Sequence, residues 1–258
     1  MIRFDQVSKF YGSVPALRDF SLEAEKGETV VLLGLSGSGK TTTLRMVNGM
    51  VTPSSGQVMV REHAVSAWPL IELRRSIGYV IQEVGLFPHW TVAQNVGMLP
   101  KVVGWDVQKT RQRVKELLEL VRLPYSNYAR RYPSDLSGGD AQRVGGAGAL
   151  ALKPDILLMD EPFGALDAQV RWEMQEMMID IIGREKTTVI TVTHDIQEAI
   201  FLADRIIFFT RNPGRIKADI PVAFKGGKRI PRKEDMLALP GYVDLEMQLF
   251  AMMREEIQ

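Results

Sequence analysis

The apolar positions of this chain change period several times, and each change marks an element. In the first thirty residues, "IRFDQVSKF" and "ALRDFSLEAEKGE" alternate apolar with polar, and Lys26-Gly27-Glu28 forms a turn. That alternation predicts half-buried strands. "TVVLLG" is apolar throughout, which predicts a short strand covered on both faces, as in a parallel sheet. A helix is expected from about Gly39 to Asn48, and "PSSGQVMV" reads as a turn followed by a strand. From about Thr91 to Arg131 the period is helical, with Val107, Val114, Leu117, Leu118 and Val121 on one face and Lys and Arg opposite. Strands return at "DILLMD" and "TVITVTH". The helix between them, "AQVRWEMQEMMIDII", puts Val170, Met174, Met177, Met178, Ile181 and Ile182 on one face. This methionine stripe reads as core, where an adaptable side chain fills gaps. Strands alternating with helices predict an α/β fold around a mostly parallel sheet, with a helical subdomain inserted beside it.

Composition narrows the function classes. With 258 residues the chain has room for one large domain or two small ones, and 45% apolar with 24% charged residues is ordinary for a soluble globular protein. A formal charge of +1 gives no reason to expect a polyanion, so no nucleic-acid partner is expected. The absence of cysteine removes disulfides and thiolate metal sites. "MIRFDQVSKF" contains no apolar stretch of the kind that a secretory signal needs, and the longest apolar runs are too short to span a bilayer. Any membrane association is therefore expected to run through a partner. The basic stretch "KGGKRIPRK", Lys225 to Lys233, reads as a solvated turn.

Two motifs carry chemistry. "GLSGSGKTT" starts at Gly34 directly after a predicted strand and just before a predicted helix, and fits G-x-x-x-x-G-K-[ST]. Gly34, Gly37 and Gly39 let backbone amides close around phosphate oxygens, with Ser36, Ser38 and Thr42 in the same loop. The helix N-terminus adds partial positive charge. Lys40 offers a point charge to the outer phosphates, and the Thr41 hydroxyl is a ligand for Mg²⁺. About 120 residues later, the apolar strand of "ILLMDEP" delivers Asp160 to its C-terminal end, where ligands bind in open parallel sheets. Asp160 is expected to hold Mg²⁺ and Glu161 to act as general base toward the attacking water.

With these two motifs in place, positions 1–210 resemble the ABC-type ATPases. The resemblance implies a P-loop NTPase of ABC type with an N-terminal antiparallel β subdomain, a helical subdomain at about 91–150, and a C-terminal extension over 211–258 holding a strand and then helices. It implies ATP and Mg²⁺ as cofactors. Tyr11 is similar to the aromatic that stacks on adenine, and Gln82 to the glutamine that senses the γ-phosphate and contributes to the metal site. "LSGGD", with Ser137, Gly138, Gly139 and Asp140, resembles the family signature "LSGGQ". Asp167 in "GALD" resembles the D-loop acid, and His194 in "VTHD" the switch histidine beside the γ-phosphate. His63 and His89 have no such support and read as structural.

The resemblance further implies two copies bound head to tail around two ATP molecules, each site joining one chain's phosphate loop to the other chain's signature. It implies membrane-spanning permease subunits and, indirectly, a solute-binding protein, with this chain peripheral on the cytoplasmic face of a bacterial inner membrane. "LRRSIGYVIQEVGLFPHWTVAQNV" is similar to the ATPases of quaternary-amine importers (glycine betaine, choline, carnitine), in which further regulatory domains often follow. "FFTRNPGRIKADIPV" is more similar to those of nitrate, sulfonate or taurine importers.

The signature segment departs from the family pattern. Asp140 stands for the usual glutamine, Ala141 for another, Gly146 for an apolar residue and Gly148 for an arginine. Glycine inside a helix costs about 1 kcal/mol against alanine, so the pair costs roughly 2 kcal/mol. Asp140 would oppose phosphate by up to about 2 kcal/mol at an effective dielectric near 20, of which its place at a helix N-terminus returns about 0.5 kcal/mol. The expectation is a weaker ATP-bound dimer with its chemistry retained, or at the limit a regulatory module that binds ATP and barely turns it over.

Overall fold

A computed structural model describes residues 1–82 and 84–257. Its strands, in chain order, are β1 (Ile2–Tyr11), β2 (Val14–Ala24), β3 (Thr29–Leu33), β4 (Ser55–Val60), β5 (His63–Ala64), β6 (Ile77–Val80), β7 (Ile156–Asp160), β8 (Thr188–Thr193), β9 (Arg205–Phe209) and β10 (Ile216–Pro221). The helices are α1 (Lys40–Val47), α2 (Leu70–Arg75), α3 (Val92–Val96), α4 (Met98–Val102), α5 (Val107–Leu120), α6 (Tyr125–Tyr128), α7 (Gly138–Ala149), α8 (Ala168–Glu185), α9 (Ile196–Leu202), α10 (Lys233–Leu237) and α11 (Tyr242–Glu255). Among the described residues no helix is long and apolar enough to cross a membrane.

Two sheets organise the chain. The N-terminal sheet, ordered β2-β1-β4-β5, is antiparallel. The larger sheet, ordered β10-β9-β3-β8-β7-β6, is parallel from β9 to β6, with β10 antiparallel at one edge. Its central strands are buried on both faces, as their unbroken apolar runs require. Side chains alternate across the sheet. Val30, Leu32, Ile156, Leu158, Ile190 and Val192 join Leu44 and Val47 of α1 and Phe4 and Phe20 of the antiparallel sheet. Val31, Leu33, Leu157, Met159 and Val189 face the opposite core, shared with α7, α8, α9 and α11.

The predicted helical stretch from Thr91 to Arg131 is four short helices, α3 to α6, because Gly97, Gly104 and Pro124 interrupt it. The methionine stripe of α8 is core, with Met174, Met177, Met178, Ile181 and Ile182 all buried and Val170 half-buried. Val107 corrects the sequence reading. It occupies the first position of α5 and is 85% exposed. Its helical spacing from Val114 is real, but the buried face begins two turns later.

The basic stretch also differs from its reading as a solvated turn. Lys225 and Lys233 are buried, and Arg229 donates to the Gly27 carbonyl and the Thr29 hydroxyl, both at 3.0 Å. Backbone carbonyls of the core supply acceptors that a charge pattern cannot reveal.

Candidate functional site

Register places the candidate residues on one rim. Leu33 of β3 pairs with Thr193 of β8, Asp160 of β7 with Val192 of β8, and Met159 of β7 with Val80 of β6. The C-terminal ends of these adjacent parallel strands therefore release, side by side, the loop Gly34–Gly39, His194, the pair Asp160–Glu161, and Gln82. This is the edge of an open parallel sheet where ligands bind.

The loop Ser36–Thr42 lines a cleft of about 210 Å³ together with Ala16 and Glu161. Gly39 takes a φ of +89°, and a β-carbon there would lie 2.6 Å from the Ala16 carbonyl oxygen, so only glycine fits. Gly39 caps α1 without a side-chain hydrogen bond, and the first turn of α1 holds no acid. In α5, α7 and α8, by contrast, Asp106, Ser137 and Asp167 accept from the first-turn amides. The free amides of α1 suit an anion. Lys40 is 4% exposed, and its Nζ donates to the carbonyls of Gly34 and Leu35, each at 2.7 Å. Burial pulls its pKa down to about 8, against the opposing pull of Glu161 and Asp160.

Thr41 Oγ1 donates to Asp160 Oδ1 at 2.8 Å, which brings two hard oxygens together beside the phosphate loop. Arg45 and the Tyr79 hydroxyl each approach Asp160 Oδ2 at 3.4 Å and fix the carboxylate. These oxygens fit a magnesium ion that draws its remaining ligands from nucleotide phosphates and water. Glu161 has a left-handed backbone, φ +47°, and its amide donates to the Val192 carbonyl at 3.0 Å. A non-glycine residue in that region stores strain of the kind found at functional sites. Its Oε2 lies 3.1 Å from Nδ1 of His194. A β-carbon built on Gly164 would meet the Gln82 amide nitrogen at 3.6 Å and Glu161 Oε2 at 3.8 Å, so both side chains flank the same point.

Other candidates stand apart from this cleft. Tyr11 ends β1 at the hairpin tip, 53% exposed, with Lys9 Nζ 5.1 Å from its ring centre. Ser137 caps α7 by accepting from the Asp140 amide at 3.1 Å. Ser137 and Gly138 are exposed, while Gly139 is pinned by Val170, whose Cγ1 would lie 2.5 Å from an added β-carbon. Asp167 caps α8 by accepting from the Val170 amide at 3.1 Å. His63 packs edge-on against Trp68, with ring centres 5.6 Å apart, and His89 is exposed.

Three contributors had no sequence signal of their own. Arg45 and Tyr79 act through Asp160, as above. Gln142 is 5% exposed, and its Nε2 donates to the Pro162 carbonyl at 2.6 Å and approaches that of Ile81 at 3.5 Å. It thereby ties the signature helix to the segments that carry Glu161 and Gln82.

Comparison with known proteins identifies relatives by sequence and by fold. A family model described as ABC transporter matches residues 17–164. The glycine betaine uptake system ATP-binding protein YehX of Escherichia coli is 46% identical over 207 residues, covering 80% of this chain and 67% of the relative. The glycine betaine/carnitine/choline transport ATP-binding protein OpuCA of Bacillus subtilis is 46% identical over 80% of this chain and 54% of its own length. A sulfate/thiosulfate import ATP-binding protein, CysA of Mesorhizobium japonicum, is 44% identical over 84% of this chain and 62% of its own length. The chain thus spans about half to two thirds of these relatives. A dimeric ATP-binding cassette solved in a post-hydrolysis state with ADP and Pi superposes with a TM-score of 0.77 at 31% identity, covering 86% of this chain and 99% of the other.

Proposed function

Because this chain belongs to the ABC transporter family, we propose that it is the ATP-hydrolysing subunit of a membrane importer. It would act as a head-to-tail pair with a second copy, peripheral to permease subunits on the cytoplasmic face of a bacterial membrane. One observation carries this reading. The phosphate loop, Asp160–Glu161, His194 and Gln82 share one rim, while Ser137 and Gly138 stand exposed and outside their own chain's cleft. In this reading residues 1–210 form the ATPase domain, the helical subdomain at about 91–150 carries the signature, and 211–258 is an extension.

The chain's own groups divide the work. The α1 amides and Lys40 take the β- and γ-phosphates, with Lys40 exchanging the carbonyls of Gly34 and Leu35 for phosphate oxygens. Thr41, Asp160 and the Gln82 amide would hold Mg²⁺, which when bound neutralises phosphate charge. Glu161 accepts the proton of the attacking water, and His194 fixes its orientation from 3.1 Å. Tyr11, exposed at its hairpin tip, offers a face for adenine. Ser137, Gly138 and Gly139 of the second copy, with the N-terminus of its α7, close over the γ-phosphate. Asp167, held as the cap of α8, would stand at the same seam.

The relatives' names support a proposal for the solute class. YehX is described as a glycine betaine uptake ATP-binding protein and OpuCA as one for glycine betaine, carnitine and choline, and quaternary amines are the solutes proposed here. CysA, described for sulfate and thiosulfate, keeps an anion importer as the second reading.

The direct test is phosphate release by the purified chain at saturating Mg-ATP, beside Glu161→Gln. The parent should turn over, and the variant should lose at least about 100-fold while still binding ATP. Equal rates would remove Glu161 from its role. No turnover by the parent, even with its permease, would leave the regulatory reading.

A further inference from the structure

The extension beyond residue 210 grips the short helix that follows His194. Helix α9 begins with its cap Asp195, directly after the switch histidine, and spans only Ile196–Leu202. A helix this short has little stability of its own, so its position depends on what holds it. Two groups of the extension bond to it, and a third packs beside its start. At its C-terminal end Lys225, 8% exposed, donates from Nζ to the carbonyls of Phe201 at 2.8 Å and Ala203 at 2.7 Å. Those are orphan acceptors of a helix end, and a cation is the group they favour. On its flank, Gln197 Nε2 donates to Glu246 Oε1 of α11 at 2.9 Å. Near its N-terminal end Lys233, 4% exposed, stands over Trp172 of α8 at 4.9 Å, where the charges of Asp195, Glu198 and Glu246 favour its ammonium and that of Arg171 opposes it. Arg229 anchors the segment between these lysines, donating to the Gly27 carbonyl at the foot of β3.

Burying two lysines is expensive. Desolvation pulls the Lys225 pKa down to about 7 and also lowers that of Lys233. A solvated tail would not adopt such an arrangement. We infer that the 211–258 extension is a positioning latch for the switch segment, in which Lys225 and Glu246 hold α9 so that His194 stays against Glu161. Lys225 is a positioning residue, bonded to the end of α9 that lies away from His194. The inference rests on the proposed ATPase reading for its kinetic consequence, and on the geometry alone for its structural one.

The chain has three histidines, so His194→Ala identifies the His194 ring resonance among them by NMR. In Lys225→Met that resonance should move while those of His63 and His89 stay. ATP binding should be kept and kcat should fall about tenfold, with Lys225→Arg restoring most of it. Glu246→Leu, a change at an exposed contact, should repeat the resonance shift in milder form and serves if Lys225→Met does not fold. An unmoved His194 resonance in a folded variant overturns the latch, as does a fall in kcat that only parallels a loss of ATP binding. If the parent hydrolyses no ATP, the resonance still decides the latch, and only the ATPase reading fails.

Discussion

Lys40, Thr41, Asp160 and Glu161 were legible because each sits at a fixed offset from a strand end, and register then carries it to the rim. Arg45 and Tyr79 were not, since their partner Asp160 lies 115 and 81 residues away and neither belongs to a motif. Lys40 gives a prediction at this scale. Burial holds its pKa at about 8 in the free protein, whereas bound phosphate favours the charged form. Below that value the lysine is already protonated, and above it binding must take up a proton. The dissociation constant of a fluorescent ATP analogue should therefore be flat below pH 8 and rise toward tenfold per pH unit above it. A constant that stays flat to pH 9.5 would show that Lys40 is charged throughout.

Helix α7 has five glycines among its twelve residues, Gly138–Ala149, and still forms. Ser137 caps it, Val144 and Ala147 are buried in the core, and Gln142 ties it to the catalytic segment. These contacts lie on other elements, so the sequence showed the propensity cost and hid what offsets it. A β-carbon at Gly148 meets nothing within 4 Å, and one at Gly146 meets only the end of Met178 at 4.0 Å. Gly146→Ala and Gly148→Ala should each stabilise the chain by about 1 kcal/mol, raising Tm by about 2–4 °C. A lowered Tm would mean that the glycines accommodate something beyond the helix. The unobstructed β-carbon position at Gly148 makes arginine the variant to test there. Asp140→Gln/Gly148→Arg should tighten the ATP-bound dimer by up to about tenfold, read by sedimentation of the Glu161→Gln background with ATP. Unchanged association would clear Asp140 of weakening the clamp. Val107 and the basic stretch were misread for one shared reason. Period and charge report what a residue prefers, while neighbours from distant elements decide what it meets.

At the scale of the whole molecule, the α/β class, the parallel sheet and the family were legible because buried strands and two motifs alternate in a fixed order. The grip of the extension on α9 was not, because it depends on carbonyls that any sequence possesses. The account's central claim is that one chain's phosphate loop works with another chain's signature. Lys40→Ala removes the first and Ser137→Arg the second, and each variant alone should hydrolyse no ATP. A mixed dimer of the two contains one site built from an intact loop and an intact signature. Phosphate release by the equimolar mixture measures this most directly. The expected result is a clear recovery of turnover on mixing, and a mixture as inactive as its separate components would contradict the account.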